Sequence, residues 1–345
     1  MDNNFKTLLG TELPVIQAPM AGVQNSALAI AVSNAGGLGS LPCGMLSTEQ
    51  IISELELLGA NTNKPYNLNF FCHTVQPFDE LRQKQWQTRL RPFFSELDSE
   101  FDESKKGSSR VPFSHEVADA IEAFAPPFIS FHFGLPEPSL LKRVKAWGAK
   151  VVSSATTVEE ALWLDENGVD GIIAQGNEGG GHRGMFLTND ITSQLSMACL
   201  VSQIVDKVSV PVIAAGGIVD RNTVKSAFAL GASAVQVGTA YLLCKEALTS
   251  DLHRTAIKSS RASHTALTNV FSGKPARGIV NRAMIELGYM SELAPSFPYA
   301  SIEMAQLRSL AEQRGLDDFS PLWCGQNTRG CKEVSAAELT LSLVD

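Results

Sequence analysis

The 345-residue chain is poor in cysteine, poor in charge and without a long hydrophobic run. Its six cysteines, Cys43, Cys72, Cys199, Cys244, Cys324 and Cys331, include no Cys-x-x-Cys pair. Neither a disulfide framework nor a zinc ribbon is indicated, and buried free thiols are expected. The six histidines show no His-Glu-x-x-His or His-x-His spacing, so no metal site is expected. No apolar stretch approaches the roughly 18 residues of a membrane span. With 28 Lys and Arg against 36 Asp and Glu, no basic field exists to draw the chain onto nucleic acid or anionic lipid. Residues 1–6 (MDNNFK) lack the basic-then-apolar order of a secretory signal, so a cytoplasmic location is expected. Gly-x-Gly-x-x-Gly after the first strand and Gly-x-x-x-x-Gly-Lys-Ser/Thr are also missing, which excludes the Rossmann and P-loop nucleotide sites.

What is present is a globular balance, 44% hydrophobic and 19% charged, on a length that fits two ordinary domains or one large α/β barrel. Apolar runs of strand length recur at residues 15–20, 38–41, 66–71, 128–133, 151–155, 171–175, 210–215 and 234–238. Each is bounded by Gly, Pro or Asn and followed by a stretch of helical character. Residues 222–230 illustrate the helices: Asp220 can cap, Val224, Ala227 and Phe228 share a face, and Gly231 ends the turn. Runs that are apolar throughout imply parallel strands covered on both faces. Eight such units predict a closed (β/α)8 TIM barrel. Two segments break the alternation. Residues 76–125 enlarge the third connection and carry a polar stretch at 98–110 that reads as solvated surface loop. Residues 243–321 follow the eighth strand and predict a helical lid over the barrel mouth.

Barrel active sites lie at the carboxyl ends of the strands. There the sequence places Gln17 to Gly22, Asn69, His132-Phe133-Gly134, the loop Gln175 to Gly184, Ala215-Gly216-Gly217 and Gln236-Val237-Gly238-Thr239. Small residues after strands seven and eight let backbone N–H groups approach a phosphate, at the usual phosphate site of a barrel. A phosphorylated cofactor such as flavin mononucleotide (FMN) fits better than a nucleoside triphosphate. Three glycines, Gly179 to Gly181, precede His182 and let backbone lie against a planar ring while the imidazole projects into the pocket. His182, able to act near neutral pH, is the leading catalytic candidate. His132, flanked by Phe131 and Phe133, is open to either a core or a pocket role. Asn69 and Gln175 offer amides of the kind that hold a flavin's polar edge or tie down a loop.

Taken in order, these residues resemble the FMN-dependent nitronate monooxygenases, formerly called 2-nitropropane dioxygenases. The resemblance runs through Gln17-Ala18-Pro19-Met20-Ala21-Gly22, Asn34-Ala35-Gly36-Gly37-Leu38-Gly39, Asn69-Phe70-Phe71, His132-Phe133-Gly134 and the Gln175 to Gly184 loop. It continues through Ala215-Gly216-Gly217-Ile218, Gln236 to Thr239, Ser272-Gly273-Lys274-Pro275-Ala276-Arg277-Gly278, Asn281, Pro298-Tyr299 and Leu322-Trp323-Cys324-Gly325-Gln326. The family commonly has Ala at Gly179 and Arg at Lys274. The resemblance implies a barrel of residues 1–243 and 318–345 that binds one FMN, with 244–317 as a substrate-side lid. It implies cofactor contacts from Asn69, Gln175, Gly180, Gly217, Gln236, Val237, Gly238 and Thr239, a catalytic His182, and His132 and Tyr299 on the substrate side. The implied reaction is oxidation of alkyl nitronates, propionate 3-nitronate among them, with molecular oxygen, by a monomer or homodimer. His182 would either hold the anionic nitronate or remove a carbon-bound proton from the neutral nitro form. NADH-dependent flavin reductases of the enoyl or quinone type look similar around the histidine loop and supply the alternative reading.

Overall fold

A computed structural model describes residues 4–104 and 110–344. Residues 1–3, part of the amino-terminal reading, and 105–109, inside the polar stretch, lie outside the described residues. The strands are β1 (Val15–Gln17), β2 (Gly39–Pro42), β3 (Tyr66–Phe71), β4 (Phe128–His132), β5 (Lys150–Ala155), β6 (Gly171–Gln175), β7 (Gly181–His182), β8 (Val212–Ala215), β9 (Ala234–Val237), β10 (Thr265–Thr268) and β11 (Ala276–Ile279). Eight of them form one parallel sheet in the order β1-β9-β8-β6-β5-β4-β3-β2. The sheet closes on itself where Leu38 N–H donates to Val15 O at 2.8 Å and Gln17 N–H to Leu38 O at 2.9 Å. The expected (β/α)8 barrel is therefore present. Its strands fall furthest short of the apolar runs at two ends: Pro19 and Pro211 carry no N–H for a ladder, and β1 and β8 stop or start short of them.

Short polar side chains start the helices directly after the strand ends. Ser47, Thr157 and Asp220 each accept from a backbone N–H of the first helical turn. Tight starts of this kind keep the βα loops short and gather them on one face. The barrel interior is layered. At the bottom, Phe5, Leu8 and Leu9 of the helix Asn4–Leu9 plug the opening against Ile16, Phe128, Ile173 and Ile213. Nearer the mouth the filling turns polar: Asn67 Nδ2 donates to Ser40 Oγ and to Ser130 Oγ, both at 2.9 Å, and Ser40 N–H donates to Gln17 Oε1 at 3.0 Å. That change of layer marks where the site begins.

The lid differs from the expected helical cover. Besides the helices Asp251–Lys258, Arg282–Leu287 and Ser301–Glu312, the segment carries β10 and β11, which pair antiparallel with each other. β11 also pairs antiparallel with β7, so the loop after β6 is a strand of the lid's own sheet. The insertion at 76–125 contributes the helix Glu80–Glu96, whose Trp86, Leu90, Phe93 and Phe94 form one core with Phe271, Met284, Met304, Leu307 and Phe319 of the lid. Two insertions remote in sequence thus build one cover. Among the described residues no helix is long and apolar enough to cross a membrane.

Trp86 is fully buried and its indole N–H donates to Ala300 O at 3.3 Å. Trp86→Ala is expected to lower stability by about 3–5 kcal/mol through the cavity it leaves. Denaturant unfolding followed by circular dichroism measures the loss, and a change below about 1 kcal/mol would show that the two insertions do not share a load-sharing core.

Candidate active site

A cavity of about 310 Å³ opens at the carboxyl ends of the barrel strands and runs up beneath the lid. It is lined by residues at the ends of all eight barrel strands, together with Arg110 from the cover and Trp323. His132, Asn69, Gln175, Gly180, His182, Gly217, Gln236, Gly238 and Thr239 all stand on its wall. The barrel topology brings these residues together from across 171 positions of sequence, Asn69 to Thr239, because all lie where strands end.

His182 sits on β7, held by pairing to β11 and by its own carbonyl. That carbonyl accepts from Gln175 Nε2 at 3.0 Å and from His132 Nε2 at 3.2 Å. Gln175 Oε1 in turn accepts from Gly184 N–H at 2.8 Å, so both ends of this amide are engaged by the loop and it acts first as a loop clamp. His132 is engaged at both nitrogens as well. Its Nε2–H donates to the His182 carbonyl, and its Nδ1 accepts from Ser154 Oγ at 3.1 Å. The His182 ring is surrounded by Phe297, Trp323 and Phe133, with ring centres 5.7, 5.6 and 6.2 Å away. Its Nε2 lies 2.8 Å from Ser272 Oγ. Burial, followed by the charges of Arg110 and Lys274 and the neighbouring histidines, holds the His182 pKa well below the usual value. Burial likewise lowers His132 and His73 to about 4. At neutral pH the imidazole of His182 is uncharged, a state suited to accepting a proton.

The same cavity wall carries a cradle of polar groups. Gln236 Oε1 is buried with no partner among the described residues. Asn69 Nδ2 donates to Ser130 Oγ at 2.9 Å, tying the amide from behind while the residue faces the cavity. Among the described residues, the backbone N–H groups of Gly217, Gly238 and Thr239 donate to no other protein group. Gly217 adopts φ +69°, a left-handed turn that glycine enters without cost. A Cβ on Gly180 would fall 2.6 Å from the Cys324 carbonyl carbon, so the glycine lets two backbone segments touch at the cavity edge. Free N–H groups on tight turns are what an anionic phosphate requires, and an orphaned buried amide oxygen needs a donor such as a ring N–H. The cradle therefore fits a phosphorylated, planar, hydrogen-bonding cofactor.

Two candidates stand elsewhere. The Val237 side chain is fully buried in the barrel core, and the residue is not among those lining the cavity. Tyr299 directs its hydroxyl to Gln76 O at 2.9 Å and its ring against Phe78 at 5.2 Å, outside the cavity wall. Arg110 corrects the reading of its stretch as solvated surface: it lines the cavity, packed 5.5 Å from the centre of the Phe297 ring. Ser272, Phe297 and Trp323 were not singled out for the site, and neither was the buried Arg183. Arg183 donates to Gly176 O at 2.6 Å, Gln175 O at 2.7 Å and Gln194 Oε1 at 2.8 Å. The one available signal was general: a glycine-rich loop has carbonyls that need donors, and the arginine lay inside it.

Fold and site together define a (β/α)8-barrel protein whose strand-end cavity holds a desolvated imidazole and glycine turns with free backbone N–H groups. The family model described as nitronate monooxygenase matches residues 3–345. Nitronate monooxygenase of Pseudomonas aeruginosa is 38% identical over 100% of this chain and 99% of its own length. That of Paraburkholderia phytofirmans is 36% identical over 97% and 92%. Among solved structures, nitroalkane oxidase from Streptomyces ansochromogenes superposes with a TM-score of 0.88 at 32% identity, covering 99% of this chain and 96% of that one. FabK from Thermotoga maritima superposes at 0.74 with 25% identity, covering 100% and 95%. The chain belongs to the nitronate monooxygenase family and is an oxidoreductase enzyme.

His73, His132 and His253 are held at about 4 and His182 well below 6.5, all chiefly by burial. Unfolding returns each to about 6.5, so between those values the unfolded chain binds more protons and stability falls as pH drops. The melting temperature is expected to hold above pH 7 and to decline from about pH 6.5 toward 4. His253→Gln should make that decline shallower; a flat melting temperature from pH 7 to 5 would contradict the neutral, buried state of these rings.

Proposed function

We propose that the protein is an FMN-dependent nitronate monooxygenase that oxidises alkyl nitronates, propionate 3-nitronate included, with molecular oxygen. The observation that carries this reading is the uncharged His182 ring, held by β7 in an aromatic enclosure on the wall of a cavity that the strand-end glycine turns also line. Gly217, Gly238 and Thr239 would hold the cofactor phosphate through their free N–H groups, with the Val237 main chain beside them. Asn69, Gly180, Gln175 and the orphaned Gln236 amide would hold the ring system. Bound FMN supplies a two-electron centre able to take electrons from a nitronate and pass them to oxygen.

The residues of the chain do the rest. Phe133, Phe297 and Trp323 exclude water from the space above His182. Ser272 holds the ring through Nε2, and Nδ1 is the nitrogen proposed to meet a reactant. A neutral imidazole is a proton acceptor, so His182 takes a carbon-bound proton from the neutral nitro form and hydrogen-bonds to the nitronate once formed. Of the two roles open to it, the uncharged ring matches the starting state of the base, while its lowered pKa makes it a weaker acceptor than a free imidazole. His132 lines the substrate side and, through the His182 carbonyl, sets where that base stands.

The test is oxygen uptake by FMN-loaded protein given propionate 3-nitronate without any nicotinamide. Rapid uptake is expected, and His182→Ala should cut turnover of the neutral nitro form by a factor of about 100 to 10,000, the usual worth of a positioned base. Uptake that depends on NADH, from protein confirmed yellow, would instead favour a reductase, and full activity of His182→Ala would remove the histidine from the chemistry.

A further inference from the structure

Residues 324–331, between Trp323 and the helix Ala336–Ser342, form a strap without helix or strand that crosses three of the turns lining the cavity. Gln326 N–H donates to Glu178 O at 3.0 Å on the loop after β6. Asn327 Nδ2 donates to Gly217 O at 3.0 Å on the turn after β8. Gly325 N–H donates to Thr239 Oγ1 at 2.9 Å after β9, and Cys331 Sγ reaches Thr239 O at 3.3 Å. Two glycines let the strap lie flat on these turns. A Cβ on Gly325 would stand 2.8 Å from Glu178 O and 3.1 Å from Thr239 Oγ1, and one on Gly330 would overlap Val219 O. Asn327 is itself braced, since its Oδ1 accepts from Arg329 N–H at 3.2 Å.

We propose that this strap is a clasp for the cofactor phosphate, with Asn327 and Gly325 as its positioning residues. Gly216 and Gly217 stand at φ +112° and +69°, and adjacent glycines leave a backbone with the most freedom to move. Such a turn would present its N–H in many directions, so its use as an anion site requires an outside tie. Asn327 supplies the tie by holding the Gly217 carbonyl, while the Gly217 N–H stays free of any acceptor among the described residues. Gly325 acts on Thr239 in a different way. Its N–H fills a lone pair of Thr239 Oγ1, and the hydroxyl hydrogen, which has no acceptor among the described residues, is left to donate to an anion. The strap thus arranges the N–H of Gly217 and the hydroxyl of Thr239 before any ligand arrives. The proposed partners of the ring system, Asn69 and Gln175, bond instead to Ser130, His182 and Gly184, so the clasp acts on the phosphate end alone. This assignment rests on the FMN reading given above.

The experiment titrates the full chain, stripped of flavin, with FMN and with riboflavin, which lacks the phosphate, and reads bound flavin from its fluorescence. It is run on the native protein, Asn327→Ala and Gly325→Ala. The native chain is expected to hold FMN tighter than riboflavin by a factor of about 100 or more, from several hydrogen bonds to a charged group. Asn327→Ala should narrow that ratio by about threefold to tenfold, the worth of one neutral hydrogen bond. The whole change should come from weaker FMN binding, with riboflavin affinity as in the native chain, a split that general loosening of the fold does not produce. Gly325→Ala should narrow the ratio further, because the added Cβ drives the strap from Glu178 and Thr239 together. A ratio indifferent to Asn327→Ala, or equal losses for the two flavins, would overturn the clasp while leaving FMN binding standing. A native chain that takes up neither flavin would overturn the cofactor reading and this one with it.

Discussion

Everything at the mouth of this barrel depends on how the loop after β6 is held. Four glycines, at 176 and 179–181, leave it with few side chains to pack, and its carbonyls need donors. Two arginines meet that need. Arg183, fully buried, donates to Gly176 O and Gln175 O, and Arg277 donates to Asn177 O at 2.8 Å and to Asn177 Oδ1 at 3.1 Å. Pairing of Gly181–His182 with Ala276–Arg277 then makes the end of the loop a strand. The loop can be glycine-rich, and so lie close to a flat ligand, because its rigidity comes from neighbours rather than from itself.

That solution ties the reactive histidine to the cover. His182 gets its backbone position from the barrel through Gln175 and His132, and its ring environment from the cover through Ser272, Phe297 and Trp323. Closure by two insertions keeps the space dry, and dryness sets the electrostatics. Imidazoles lose their charge there, whereas guanidinium and ammonium groups, whose ordinary pKa values lie far higher, keep theirs despite burial that lowers Arg110 and Lys274. Neutral bases and uncompensated cations are the result, in one small volume. The enclosure discriminates between titratable groups by their starting values.

How much of this was legible beforehand depends on whether a residue's role was local. The eight barrel strands were visible because parallel buried strands must be apolar throughout, and the turns between them must carry Gly, Pro or a capping residue. Gly217, Gly238 and Thr239 were visible because the end of a barrel strand is a fixed address. Roles set by a distant partner were not. Gln175 stands on the cavity wall as its strand-end position suggests, but its bonds to the His182 carbonyl and Gly184 N–H, which hold the loop, come from tertiary structure. Tyr299 looked like a substrate-side residue, yet its hydroxyl lies on Gln76, 223 positions away in sequence. Arg110 sat in a polar stretch that reads as surface, and only packing beneath Phe297 turned it inward.

Sequence by itself determined the barrel, the strand ends at which chemistry gathers, and the histidine on a glycine-rich loop. These follow from patterns of a few residues: the period of burial, the need for caps, and the freedom of glycine. Tertiary structure alone decided that the lid would hold a sheet as well as helices, that β7 would belong to it, and that the histidine would be uncharged. The reason is physical. Desolvation and strand pairing between segments nearly a hundred residues apart are properties of a closed three-dimensional space, and no local stretch of chain contains them.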